Sequence, residues 1–404
     1  NNFLRIMKLS KKIIDIEPSS TVILGQKARE LISSGKEVIQ LGEGEPDFNT
    51  PDHIIEASYK AMKRGETKYT NVAGTQELRN EIKKYLKNEH QLIYQEDQIV
   101  VGNGGKQLIF NALLASIDPE DEVIIPTPYW VSYPQIVNFA GGKSILANCT
   151  ESNDFKISPK LLEKHINKKT LWLILNSPGN PTGSVYSKQE LHDLAIVLRN
   201  HTNVNIICDD IYSKIIYGNE KFFTLAEVAP DLIDRILIIN GLSKAYAMTG
   251  WRIGYAAGNL SLIKAMIKLQ GQSTTNASSV SQAAALAALT GDMKFLDDWN
   301  EKYRQRRDLT FNILKKSFPD FNIKPMGAFY HFINCEYYLG KNFKNKKIHN
   351  DMDFCKYLLE YFGISVVPGT AFGCNGYFRL CYAKSETDLQ IACKKINQFV
   401  SLIK

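Results

Sequence analysis

The segment GLSKAYAMTGWRIGY, residues 241–255, directly follows the predicted strand Ile236–Asn240. It places Lys244 next to Ser243, with Arg252 eight residues after the lysine. Polar residues that follow a strand lie where open α/β sheets bind ligands. An amine beside a hydroxyl and a guanidinium suits a phosphate-bearing aldehyde, because the amine adds to the carbonyl while the other groups hold the phosphate. The alternative is a surface lysine with an unrelated arginine.

On both sides of this segment, short β-branched runs alternate with amphipathic stretches of helical period. The other predicted strands are Ile99–Val101, Val123–Pro126, Ser144–Asn148, Leu171–Asn176, Asn205–Asp209 and Ile253–Ala257. Helices predicted between them include Lys106–Ser116, Val131–Ala140 and Lys188–Asn200. Apolar strands separated by helices form parallel sheets that are covered on both faces. The pattern therefore predicts an α/β fold with a mostly parallel sheet.

The pattern changes after Gly258, where longer helical stretches precede a few short strands. The predicted helices are Leu260–Gln270, Ser278–Thr290, Met293–Phe318 and a last one from Ser385, and the predicted strands are Phe329–Ile333, Ile364–Val367 and Phe378–Tyr382. We predict a large domain over residues 47–292 and a smaller α+β domain over residues 293–404. Residues 1–46 lack a core of their own, so we expect them to pack on the smaller domain.

Composition and charge exclude several classes of protein. A chain of 404 residues with 44% hydrophobic and 23% charged residues is an ordinary globular protein of two or three domains. The net charge, 49 − 42 = +7, is mild, and the densest basic stretch, Lys341–Lys347, is expected to be a solvated loop rather than a nucleic-acid patch. The chain has no run of roughly 18 apolar residues, so no membrane span is expected.

Cysteine and histidine usage points to a cytoplasmic protein without a structural metal. The seven cysteines are odd in number and lack a C-x-x-C pair, which is typical of reduced thiols. The first residues do not have the basic-then-apolar plan of a signal peptide. The seven histidines show no paired ligand spacing, so no metal site is expected.

Three further motifs follow predicted strands. Gly102–Gln107 (GNGGKQ) opens a helix, where free backbone N–H groups hold anions, although a simple glycine turn is an equal alternative. Asn176–Gly183 (NSPGNPTG) is either a loop with two turns or a stiff support for the Asn180 amide. Asp209–Tyr212 (DDIY) ends a strand with a carboxylate that is either a helix N-cap or the counter-ion of a buried cation.

Together these motifs resemble the class I aminotransferases of fold type I, which depend on pyridoxal 5′-phosphate (PLP). The resemblance rests on Ser243–Tyr246, Gly250–Tyr255, Asn180–Gly183, Asp209–Tyr212 and Pro128–Pro134 (PYWVSYP), and it is greatest to the bacterial aspartate aminotransferases of subgroup Ib. It extends from about Pro18 to the C-terminus. It implies a large domain with a mostly parallel seven-stranded sheet, a smaller α+β domain and a homodimer with shared active sites.

The resemblance also implies roles for residues around the cofactor. Lys244 matches the lysine that forms the Schiff base with PLP and moves the proton between substrate Cα and the cofactor. Asp209 matches the partner of the pyridinium nitrogen, and Trp130 matches the residue that stacks on the ring. Tyr212 and Asn180 match hydrogen-bond partners of ring O3′. The implied phosphate ligands are Gly104, Gly105, Lys106, Ser243, Arg252 and, from the other subunit, Tyr69.

For the substrate, the resemblance implies a dicarboxylic amino acid. Arg379 matches the arginine that binds the α-carboxylate, with Gly42 contacting the same group and Trp130 and Asn180 also lining the substrate site. Lys106 and Thr21 match residues near the distal carboxylate. The expected activity is amino transfer between L-aspartate and 2-oxoglutarate.

Two other classes of activity remain open. The first is another enzyme of the same fold: an aspartate/prephenate or aromatic aminotransferase, or a β-lyase. Glu17 stands where a basic residue has been implicated in prephenate use, and an acid there disfavours that substrate. The second is a PLP-binding regulator or degenerate homologue, which is disfavoured because Lys244, Asp209 and Arg379 are all present.

Overall fold

The computed structural model describes residues 7–14 and 20–404. In chain order the α-helices are α1 (Lys11–Ile14), α2 (Ser20–Ser33), α3 (Asp52–Lys63), α4 (Gln76–His90), α5 (Gly105–Ser116), α6 (Ser132–Ala140), α7 (Pro159–His165), α8 (Lys188–Asn200), α9 (Leu225–Val228), α10 (Leu260–Gly271), α11 (Ser279–Thr290), α12 (Phe295–Leu314), α13 (Asp351–Phe362) and α14 (Glu386–Ser401). The strands are β1 (Ile39–Gln40), β2 (Ile99–Gly102), β3 (Glu122–Thr127), β4 (Lys143–Asn148), β5 (Thr170–Asn176), β6 (Asn205–Asp209), β7 (Ile236–Gly241), β8 (Gly254–Ala257), β9 (Tyr330–Asn334), β10 (Asn342–Phe343), β11 (Lys346–Lys347), β12 (Ile364–Ser365), β13 (Val367–Pro368) and β14 (Tyr377–Cys381).

The main sheet has seven strands in the order β2-β8-β7-β6-β5-β3-β4. All neighbouring pairs are parallel except those of β8, which runs antiparallel to both β2 and β7. The predicted α/β fold with a mostly parallel seven-stranded sheet is therefore confirmed. Each predicted strand bound in this sheet lies within one residue of the observed bound, because continuous β-branched runs mark doubly covered strands clearly.

Apolar side chains cover both faces of this sheet. On β7, Ile238 packs in one core cluster and Ile239 in the other, as the two-residue period of a strand requires. One face carries apolar residues of α4, α8 and α11, and the other carries those of α5, α6 and α10. Because helices cover both faces, a ligand can reach the sheet at the ends of its strands. In open α/β sheets, ligands bind at the carboxyl ends of the parallel strands.

The C-terminal residues form a second, smaller core around an antiparallel sheet of β13, β14 and β9. Leu24 and Ala28 of α2 belong to the same core, and β1 pairs in parallel with β12 through Ile39 and Ile364. Residues near the N-terminus and the C-terminus therefore share one apolar cluster. Among the described residues, no helix combines the length and apolar character needed to cross a membrane.

Three details of the smaller core differ from the sequence-based expectation. The predicted strand Ile364–Val367 is two strands in different sheets, because β12 pairs with β1 and β13 pairs with β14. Helix α12 ends at Leu314 instead of Phe318. Pro319 follows, and the residue before a proline is disfavoured in helical geometry; Phe318 packs instead against Phe378, with ring centroids 5.5 Å apart. The expected loop at Lys341–Lys347 contains a short hairpin, β10–β11, because Phe343 is buried in the core while the lysines of β11 are exposed.

Candidate active site

A cavity of about 450 Å³ opens at the carboxyl ends of the parallel strands. The structure brings eleven of the predicted residues to its wall: Gly42, Gly105, Lys106, Trp130, Asn180, Asp209, Tyr212, Ser243, Lys244, Arg252 and Arg379. These residues come from segments that are far apart in the sequence. Thr21 belongs to α2, but its side chain lies outside the described residues, as does Glu17.

Lys244 follows β7 and lines the cavity wall, where its side chain is partly buried. Its Nζ donates a hydrogen bond to the backbone carbonyl of Gly44 at 2.7 Å. Burial lowers the pKa of this amine to about 8, because an ammonium loses its hydration there. An amine with this pKa is partly neutral near physiological pH and is therefore able to act as a nucleophile or a base.

Asp209 is the last residue of β6, and its carboxylate is buried. The Tyr133 hydroxyl donates to Asp209 Oδ2 at 2.5 Å, and Asn176 Nδ2 donates to the Asp209 backbone carbonyl at 2.9 Å. Burial raises the pKa of Asp209 to about 6, and the hydrogen bond from Tyr133 works against that rise. A cationic partner would stabilise the ionised form of this buried carboxylate, because its charge offsets the lost hydration.

Arg379 extends from β14 into the cavity and is buried, so it is not a surface arginine. Its Nη1 donates to Asn180 Oδ1 at 2.8 Å and its Nη2 donates to the Gly42 carbonyl at 2.6 Å. The guanidinium lies 4.5 Å from the ring centroid of Tyr330 and 5.0 Å from that of Phe372. Its buried Nε has no hydrogen-bond partner among the described residues. The remaining N–H groups suit a planar anion such as a carboxylate.

Arg252 and the N-terminus of α5 form one corner of the cavity. Gly104 precedes α5 with φ +83°, and a Cβ at this position would lie 2.5 Å from Arg252 Nη2. Arg252 is held by hydrogen bonds from Nη1 to the Thr249 carbonyl, 2.8 Å, and from Nη2 to the Asn103 carbonyl, 3.3 Å. A guanidinium packed against the backbone at a helix N-terminus forms a site for a phosphate group. The buried Ser243 hydroxyl faces the same cavity.

Lys106 also lies in this corner, on the first turn of α5. Its Nζ lies 4.9 Å from the centroid of the Trp130 ring. Burial and the nearby Arg252 both lower the pKa of the Lys106 amine. Besides Arg379 and Arg252, the cavity therefore holds the Lys106 amine as a further cation that an acidic ligand can reach.

Among the predicted residues whose side chains are described, Tyr69 is the one that does not line this cavity. It lies between α3 and α4, and 89% of its surface is exposed. Exposed apolar residues of α3, namely Ile55, Tyr59 and Met62, lie in the same part of the sequence. The contact of Tyr69 with a second subunit stays a prediction.

Nine residues of the cavity wall were missed by the sequence analysis, among them Tyr133, Asn176, Gly44 and Tyr330. Tyr133 bonds Asp209, Asn176 supports both Asp209 and the Asn180 backbone, the Gly44 carbonyl holds Lys244, and Tyr330 contacts Arg379. The PYWVSYP motif contains Tyr133, so that residue carried a sequence signal. Tyr330 carried none beyond its place on a predicted strand.

Comparison with known proteins agrees with this geometry. The family model described as "Aminotransferase class I and II" matches residues 36–396. A Rickettsia conorii protein named "Probable aspartate/prephenate aminotransferase" is 48% identical over 98% of this chain and 99% of its own length. A Rhizobium meliloti "Aspartate aminotransferase" is 46% identical over 96% of this chain and 95% of its own.

Solved structures agree with the sequence relatives. The crystal structure of the aspartate aminotransferase from Rhizobium meliloti superposes with a TM-score of 0.95 at 44% identity, covering 99% of this chain and all of that one. The Thermus thermophilus aspartate aminotransferase with maleate superposes with a TM-score of 0.91 at 37% identity, covering 98% of this chain and 100% of that chain.

Proposed function

Because the chain belongs to the family of class I and class II aminotransferases, we propose that it moves an amino group reversibly between L-aspartate and 2-oxoglutarate, with PLP as the cofactor. The products are oxaloacetate and L-glutamate. One observation carries the choice of substrate: besides Arg252, which is assigned to the phosphate, Arg379 and Lys106 place two cations in the same cavity as the Lys244 amine. Two cations match the two carboxylates of aspartate, of glutamate and of their oxo acids.

The residues of the cavity fit PLP. Arg252, Ser243 and the first turn of α5 would hold the phosphate, in a cradle that a Cβ at Gly104 would fill. Asp209 would hold the protonated ring nitrogen, which offsets the burial that raises the pKa of the carboxyl group. When bound, PLP supplies the electron sink for the electrons of the broken Cα–H bond.

The side-chain amide of Asn180 can donate a hydrogen bond to a ligand through its Nδ2 group. Its Oδ1 accepts from Arg379, which is only a donor, so this contact fixes which end of the amide is the oxygen. The Nδ2 group is left to donate to a ligand oxygen, here ring O3′. Tyr212 donates to the same oxygen in this proposal, and the Trp130 ring covers the face of the cofactor.

Lys244 is the proton carrier of the proposed reaction. Its neutral amine removes the proton from substrate Cα while Arg379 holds the α-carboxylate, and a positioned base of this kind contributes roughly 10²–10⁴-fold. The Gly44 carbonyl orients this amine through the 2.7 Å hydrogen bond. The Gly42 carbonyl and Asn180 fix two N–H groups of Arg379, which leaves its other donors for the substrate.

A second candidate function is amino transfer to prephenate. It is favoured by relatives whose names include prephenate, such as the Rickettsia conorii protein at 48% identity. The proposal is tested by measuring kcat/KM for L-aspartate, L-phenylalanine and, with glutamate as amino donor, prephenate. A higher value for aspartate supports the first candidate. A higher value for prephenate or phenylalanine selects the alternative.

Lys106→Met is expected to separate acidic from other substrates. Loss of the cation removes a charge-assisted contact with the distal carboxylate, so kcat/KM for aspartate should fall by about 10- to 100-fold. The value for phenylalanine, which lacks that carboxylate, should change much less. An equal fall for both amino acids would show that Lys106 acts on the cofactor alone.

Loading of the cofactor-free enzyme with PLP should depend on the Lys244 pKa of about 8. Only the neutral amine attacks an aldehyde, so the loading rate should rise roughly tenfold per pH unit below pH 8 and level off above it. Stopped-flow absorbance after mixing with PLP measures this rate. A rate that still climbs steeply beyond pH 9.5 contradicts a lowered pKa, since an ordinary lysine titrates near 10.4.

We further propose a homodimer in which Tyr69 completes the phosphate site of its partner. In this arrangement each active site takes Lys244 from one subunit and Tyr69 from the other, so Tyr69→Ala and Lys244→Ala remove contributions of different subunits. Mixed and reassociated, the two variants should regain about a quarter of wild-type activity, because half of the random dimers hold one intact site. Absence of any recovery, when sedimentation shows that the dimers dissociated before mixing and re-formed after it, contradicts the shared site.

The cellular setting and the domain division follow the same proposal. Within the described structure all seven cysteines are free thiols and six of them are buried, which suits a reducing cytoplasm.

We assign residues 47–292 to the large domain that binds PLP and residues 293–404 to the small domain. Of the N-terminal segment 1–46, the described elements α2 and β1 join the small domain, through the shared apolar core and the pairing of β1 with β12.

A further inference from the structure

Tyr330 is a buried residue of β9 whose side chain contacts three parts of the site. Its ring centroid lies 4.5 Å from the guanidinium carbon of Arg379. Its hydroxyl lies 2.6 Å from the Tyr212 hydroxyl. The same hydroxyl would collide with a Cβ at Gly44, the residue whose carbonyl holds Lys244. One phenol therefore touches the proposed substrate arginine, the proposed O3′ donor and the loop that orients the lysine.

The direction of the Tyr330–Tyr212 hydrogen bond follows from the number of protons. Burial raises the pKa of both phenols, so both are neutral and each carries one proton. If the Tyr212 hydroxyl donates its hydrogen bond to ring O3′, the Tyr212 oxygen must accept a hydrogen bond from the Tyr330 hydroxyl. Each hydrogen bond in such a chain polarises the next, so the bond from Tyr330 strengthens the one that Tyr212 donates.

We propose that Tyr330 is a positioning residue that fixes Arg379 with the face of its ring and Tyr212 with its hydroxyl. This inference rests on the proposed function, because it assigns a cofactor oxygen to Tyr212. The two contacts are separable by mutation: phenylalanine keeps the ring and removes the hydroxyl, whereas leucine removes both. Phe372 lies 5.0 Å from the same guanidinium but has no hydroxyl, so it serves only the first role.

The test compares Tyr330→Phe with Tyr382→Phe in the PLP-loaded enzyme. Tyr382 is a matched control, since it is also buried and also loses a bond to a second tyrosine, Tyr217 at 3.4 Å, but it does not line the cavity. The readout is the pH midpoint of the visible absorption change of the bound cofactor. For Tyr330→Phe we expect an upward shift of about 0.3 to 1 pH unit, the effect of weakening one hydrogen bond to O3′. For Tyr382→Phe we expect the wild-type midpoint.

Tyr330→Leu tests the contact with Arg379. We expect it to raise the KM for aspartate about 3- to 30-fold beyond the value for Tyr330→Phe, because the cation loses the face of its aromatic neighbour. An unchanged midpoint in Tyr330→Phe, in an enzyme that still reacts with aspartate, overturns the inference and leaves the proposed function standing. A wild-type protein that binds PLP but does not react with aspartate overturns the proposed function itself.

Discussion

Lys244→Ala is expected to lower kcat for amino transfer by at least roughly 10²–10⁴-fold, the contribution of a positioned base. Alanine can neither remove the proton from substrate Cα nor attach to the cofactor aldehyde. The fold should remain intact, because the lysine carries a buried amine whose lowered pKa shows that burial disfavours its charged form. Steady-state kinetics, with circular dichroism to verify folding, measures the effect.

The matched control for this variant is Lys160→Ala. Lys160 is an exposed lysine of α7, away from the cavity. Its replacement should leave kcat and KM at wild-type values. If Lys244→Ala kept activity close to that of Lys160→Ala, Lys244 would not be the proton carrier.

Arg379→Lys is expected to lower kcat/KM for aspartate by about 10²–10⁴-fold although the positive charge is kept. Lysine cannot reproduce the planar fork, so at least two charge-assisted hydrogen bonds to the α-carboxylate are lost or misplaced. In the native site, Asn180 and Gly42 fix the guanidinium plane by bonds of 2.8 and 2.6 Å. A lysine amine cannot satisfy both acceptors and the substrate in that geometry.

The α-carboxylate is common to every amino acid, so this variant has a distinctive pattern. The loss in kcat/KM should be similar for aspartate and phenylalanine, in contrast to the selective loss expected for Lys106→Met. A loss confined to aspartate would assign Arg379 to the distal carboxylate and reverse the proposed orientation of the substrate.

The main sheet could be predicted from the sequence because its signals are local. Runs such as Ile206–Cys208 and Ile236–Ile239 are continuously apolar, and polar residues follow them at once. The bounds of these strands are therefore set by neighbouring residues alone. The same reasoning placed Asp209 and Lys244 at the carboxyl edge, where the structure has them.

The supporting residues of the site could not be predicted in this way, because their partners are distant in the sequence. Tyr133 and Asp209 are 76 residues apart, and Tyr212 and Tyr330 are 118 apart. A tyrosine on a strand is ordinary core composition until the fold shows what its hydroxyl meets. The end of α12 is a different case, because Pro319 is a local signal against helix at Phe318, which packs instead on Phe378 of the smaller sheet.

The central claim is most directly tested by the visible absorption spectrum of the PLP-loaded protein, recorded before and after addition of L-aspartate and then of 2-oxoglutarate. We predict that aspartate removes the visible band, because the amino group passes to the cofactor, and that 2-oxoglutarate restores it. Both half-reactions then occur on one enzyme. A band that aspartate leaves unchanged and an aromatic amino acid removes would contradict the proposed substrate, and a protein that takes up no PLP would contradict the site as a whole.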